Sequence, residues 1–69
     1  MIKVGETQVF YQEGMTISGL IKELKIKSIY TKVRIIQKNE KDISVSFDKF
    51  DIYVLPDDCE VIFIMIAGG

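Results

Sequence analysis

Few residues in this chain have the types and spacing to do chemistry, and the most suggestive are the last two. Gly68 and Gly69 follow Ala67 and an apolar run from Val61 to Ile66. Glycine lacks a Cβ, so a Gly-Gly end is thin and takes backbone angles closed to other residues. Such a tail can thread a narrow channel and present a terminal carboxylate to another protein's active site. At about 7% glycine usage, two terminal glycines arise by chance in roughly 0.5% of chains, and a frayed end without a role is the competing reading.

The rest of the composition removes alternatives. Histidine is absent, so neither a Ser-His-Asp nor a Cys-His arrangement can form, and no zinc site can be ligated by histidine. The lone Cys59 excludes a thiolate cluster and an internal disulfide. The carboxylates lack the spacing of a calcium loop. No free-standing catalytic site is expected, nor a bound metal. A net charge of −1, from nine Lys+Arg and ten Asp+Glu, argues against a nucleic-acid partner, which calls for a plainly basic domain. No apolar run is long enough for a membrane helix, and no signal-peptide pattern opens the chain. With a single cysteine, these features lead us to expect a cytoplasmic protein without a membrane partner. Cys59 itself reads as a turn residue, accessible but incidental, because Asp57, Asp58 and Glu60 disfavour its thiolate.

The tail needs a scaffold, and 69 residues allow one domain with a small core. Met1 to Val4 alternates as a half-buried strand, Gly5-Glu6-Thr7 is a turn, and Gln8 to Gln12 returns as the second strand of a hairpin. Thr16 is the N-cap of a helix whose Ile17, Leu20, Ile21 and Leu24 share one face, and Met15 with Leu20 forms a hydrophobic staple. Gly19 sits inside that helix either as a close-approach point to the sheet or as a tolerated defect. After a connector, Val33 to Gln37 and Ile43 to Ser46 read as strands separated by a polar turn. Phe47 and Phe50, three apart, suggest a short helical turn near residues 47–51 pinned to the core. Pro56-Asp57-Asp58 turns the chain into the terminal strand. The fold class is therefore α+β: a mixed sheet of four to five strands with one main helix on one face. Its first and last strands should be central neighbours.

Along the last strand, Glu60, Ile62, Ile64 and Ile66 share one face, while Val61, Phe63 and Met65 share the other. The charged member marks the wetter face, so Ile62, Ile64 and Ile66 form a candidate apolar patch for partners, with Val61 and Phe63 packed toward the helix. Burial of both faces, in the core or in a dimer, stays open.

The ordered set of a hairpin, then Gly14-Met15-Thr16 opening the helix, then Val54-Leu55 before an acidic turn, and finally Ile66-Ala67-Gly68-Gly69 resembles the ThiS/MoaD sulfur carriers, and ThiS more than the longer MoaD. The resemblance covers essentially the whole chain. The late turn reads Asp57-Asp58-Cys59-Glu60-Val61 where the family has D-G-D-E-V, which leaves the register of the last strand open.

The resemblance implies a β-grasp, ubiquitin-like fold, with residues 1–66 as the domain and 67–69 as a flexible tail. A carboxylate is a poor electrophile and must be activated before it can carry sulfur. The family implies that a ThiF/MoeB-like enzyme adenylates Gly69 with MgATP, that a persulfide donor converts the adenylate to a thiocarboxylate, and that a ThiG-like thiazole synthase accepts the sulfur for thiamine. Gly68 and Ala67 would give the tail access. The carrier would bind no cofactor, would not itself be an enzyme, and would be monomeric when free. Two alternatives share the same chemistry: a MoaD-like donor to molybdopterin, and a ubiquitin-like modifier joined to proteins through Gly69.

Overall fold

A computed structural model describes residues 1–27 and 30–65. Among them are five strands, β1 (Ile2–Val4), β2 (Thr7–Val9), β3 (Lys32–Gln37), β4 (Ile43–Ser46) and β5 (Cys59–Ile64), with one α-helix, α1 (Ile17–Leu24), and a 3₁₀ turn over Phe47–Lys49. They form one mixed sheet in the order β2-β1-β5-β3-β4. The last strand is thus central: β1 lies parallel on one side of it, and β3 lies antiparallel on the other. A parallel neighbour requires a crossover, and α1 lies within that crossover.

Two glycines make the early turns possible. Gly5, at φ +60, takes the first position of the loop closed by the Val4↔Thr7 pair, which is where a II′ hairpin requires positive φ. Gly14, at φ +83, sits in the turn closed by the bond from Met15 N–H to the Gln12 carbonyl, 2.9 Å long. That turn delivers the chain to α1. Thr16 caps the helix, accepting from the Gly19 N–H at 3.1 Å, and Lys25 ends it in the left-handed conformation, donating to the carbonyls of Ile21 and Lys22. The N-terminal end of α1 is tied to the segment after the 3₁₀ turn. Ser18 N–H donates to the Phe50 carbonyl (3.0 Å), Leu55 N–H to the Met15 carbonyl (2.8 Å), and the Ser18 hydroxyl to Asp51.

The core lies between the helix and one sheet face. Ile17, Leu20 and Ile21 of α1 meet a row from every strand: Ile2, Val9, Val33, Ile35, Val45, Cys59 and Val61. Met15, Phe50 and Leu55 complete it. Leu24, half-buried, packs against its edge, so the expected helix face is the one the core uses.

Three expectations are corrected. Strand β2 ends at Val9 rather than running to Gln12, because the chain must leave the sheet to reach the Gln12–Met15 turn; Phe10 is 78% exposed as a result. Of the two aromatics near the 3₁₀ turn, only Phe50 is buried, while Phe47 lies at its start and faces solvent. Cys59 is not an accessible turn residue: it opens β5, pairs with Ile2 and Gln37, and is 3% exposed. Its odd position places it on the same face as Val61. The question over Gly19 is also resolved. A Cβ there would meet Thr16 Oγ1 at 3.5 Å and Met15 Cγ at 4.0 Å, ordinary contacts with its own cap region, so no close approach to the sheet requires glycine.

Candidate functional site

The pairing of β5 fixes its register. Ile35 lies opposite Val61, Val33 opposite Phe63 and Gln37 opposite Cys59, all on the helix side. Between them, Ile36 lies opposite Glu60, Arg34 opposite Ile62 and Lys32 opposite Ile64, on the helix-free side. Val61 is buried, and Phe63 is half-buried against the core with its ring 5.0 Å from that of Tyr30. On the open side Ile62 is exposed and Ile64 half-buried; Met65, beyond the end of the strand, is exposed. The sheet therefore brings Ile62 and Ile64 together on one face. Ile66, Ala67, Gly68 and Gly69 lie outside the described residues.

The same register adds residues that strand-by-strand reading could not collect. Lys3 is opposite Glu60 across the parallel pair, and Arg34 and Lys32 stand beside Ile62 and Ile64. The open face is thus a strip of isoleucine flanked by three cations and one carboxylate. Period-two alternation in β1 and β3 would have put Lys3, Lys32 and Arg34 on a solvent face; which face they share with Ile62 depends on the pairing. Arg34 Nε approaches Asp42 Oδ2 at 4.0 Å, a solvent-exposed contact of little energetic weight.

The turn before β5 is held from outside. The Met1 amino group lies 2.7 Å from Asp57 Oδ1 and 3.4 Å from Asp58 Oδ1, and Asp57 also accepts from the Asp58 N–H. The hydrogen bond from the amino group holds the Asp57 carboxyl below the usual carboxylate range, and the same bond raises the amino group above its ordinary value. Both groups are solvent-exposed. Cys59 behaves differently: burial pushes its thiol up, and the charge of Asp57 adds to the effect. A thiol held neutral and buried is a poor nucleophile.

Among the described residues, no group of three or more His, Cys, Asp or Glu side chains is placed to hold a metal ion, and no helix is long and apolar enough to cross a membrane. No protein-family model, curated protein or solved structure matches the chain.

Proposed function

We propose that this chain is a sulfur carrier of the ThiS kind with a β-grasp fold, whose Gly69 carboxylate is adenylated by a partner enzyme, converted to a thiocarboxylate and discharged to a thiazole-forming acceptor. The observation that carries the proposal is the position of β5. The sheet's central strand, locked by β1 and β3 on either side, ends at Ile64, and only Met65 and Ile66 separate it in sequence from Ala67-Gly68-Gly69. A firmly held strand leading into residues without bulk is what presenting an acyl group to a second protein calls for. The strand order, with parallel β1 and β5 side by side and a crossover helix on one face, is also compatible with a β-grasp domain.

The division of labour follows from the chemistry. The carrier supplies a carboxylate and a docking surface, and ATP and magnesium belong to the activating enzyme. Ile62 and Ile64, with Lys3, Lys32 and Arg34 around them, are the proposed contact face for that enzyme. Sulfur transfer then proceeds by attack of the persulfide's outer sulfur on the acyl adenylate, expelling AMP and leaving an acyl disulfide to the donor enzyme; a second thiol attacks the donor's sulfur in that bond, so that the thiocarboxylate leaves and the two thiols are oxidised to a disulfide.

The test is to weigh the intact protein from its native cell and after incubation with an adenylating enzyme, MgATP and a persulfide donor. One oxygen replaced by sulfur at Gly69 is the expected product, and a variant lacking Gly68 and Gly69 should acquire none. If the protein instead appears joined to lysines of other chains, it is a modifier. If neither product forms, the carboxylate is not a carrier group.

A further inference from the structure

Strand β2 is one edge of the sheet and pairs only with β1. The pair that closes its short loop, Val4↔Thr7, exchanges backbone hydrogen bonds, and antiparallel pairs alternate from there. Lys3↔Gln8 is therefore the wide, non-bonded pair, which turns the N–H and C=O of Gln8 outward to the open edge. The sequence Thr7-Gln8-Val9 contains neither the lysine nor the proline that commonly protects an edge. Beside it stands Phe10, the most exposed large apolar side chain among the described residues. A groove of about 400 Å³ runs between this edge and the C-terminal half of α1, lined by β2, Phe10, Gln12, Glu23 and Leu24. Glu23 is the one charged residue in that lining.

We propose that this groove takes an extended peptide segment, whose alternate positions on one face carry apolar side chains followed by a basic one, as an additional strand on β2. The outward backbone groups of Gln8 supply the pairing, and alternate side chains then fall on the helix side. Apolar ones cover Phe10 and Leu24, and a basic one reaches Glu23. Charge selects this occupant over a second copy of the chain, since a second copy would bring another acidic groove to the same edge. This site is on the far side of β1 from β5 and is independent of sulfur carriage.

The probe is a capped synthetic peptide Ser-Val-Ser-Val-Ser-Lys-Ser, whose valines and lysine share one face, titrated into the isotope-labelled full chain and followed by amide chemical shifts, with the same peptide bearing glutamate in place of lysine as control. Saturable shifts at residues 7–10 and at Glu23 and Leu24 are expected for the lysine peptide only. Glu23→Lys should weaken its binding roughly fivefold and favour the glutamate peptide. Gln8→Pro removes the outward N–H without touching the bonds to β1, and should abolish binding; if that variant unfolds, Glu23→Lys still decides. Absence of saturable shifts, equal binding of both peptides, or dimerisation through β2 without peptide would overturn the proposal.

Discussion

Val61 and Ile62 are adjacent, almost equally apolar, and held by the same central strand, yet the first is 1% exposed and the second 40%. The difference is not in their hydrophobicity. The pleat sends Val61 to the side where α1 lies, with Ile35 beside it, and sends Ile62 to the uncovered side, beside Arg34. The contrast is sharpest in the first part of β5, with Cys59 and Val61 buried on one side and Ile62 left open on the other, and it narrows at Phe63 and Ile64, both half-buried. Full burial of such a side chain is worth about 1.5–3 kcal/mol, and Ile62 leaves part of that unused. An isoleucine kept open on a central strand, among cations, is available to a partner in a way that Val61 is not.

The sharpest way to break this comparison is to delete mass from each face in turn. Leu20 of α1 is fully buried against the inner face, and Leu20→Ala should cost about 2–5 kcal/mol. A domain of 69 residues holds roughly 3–10 kcal/mol in total, so the substitution removes a large share of it and should lower the urea midpoint strongly. Ile62→Glu on the outer face should cost less than about 1 kcal/mol of unfolding free energy, read from the urea midpoint, while weakening any complex formed through that face. Equal loss of stability from the two substitutions would mean that the open face is structural.

How much of this was legible in the sequence divides along the same line. Helix α1 was readable because everything that makes it is local: the cap at Thr16, the staple of Met15 and Leu20, and the spacing of Ile17, Leu20, Ile21 and Leu24. Strand β4 was readable because Ile43-Ser44-Val45-Ser46 alternates between polar signals. The misread residues depend on distant partners. Cys59 is buried because Ile2 and Gln37 flank it, and nothing in Asp57-Asp58-Cys59-Glu60 says so. Phe47 and Phe50 look equivalent, and the Ser18–Phe50 hydrogen bond that anchors the segment spans the chain. The Ile62 side of the candidate site was visible as a period of two. Its cations were not, because gathering Lys3, Lys32 and Arg34 around it requires the register of three strands.

Smaller changes test how the helix covers the inner face. Thr16→Ala removes the acceptor for the Gly19 N–H and should destabilise by about 1 kcal/mol, seen as a lower urea midpoint with an unchanged slope. Gly19→Ala should act in the opposite direction. With only ordinary contacts awaiting a Cβ, the helical preference of alanine should raise stability by up to about 1 kcal/mol. Loss of stability in Gly19→Ala would show that α1 sits closer to its surroundings than these distances allow.

The smallest effect sits at the inner-face end of β5. The Cys59 thiol is pushed up chiefly by burial, so the folded state holds its proton more tightly than the unfolded chain. That contribution is complete below the ordinary thiol value of about 8.5 and is lost as pH rises through that value toward the higher folded one. The Met1 amino group, also raised, would fade over part of the same range, so Cys59→Ala is the proper reference. Between neutral pH and about pH 10 the native protein should lose stability relative to Cys59→Ala. Thiol labelling at neutral pH should be at least about tenfold slower in the folded than in the unfolded chain. Fast labelling of the native state would move Cys59 from the inner face to the surface, and with it the register that exposes Ile62.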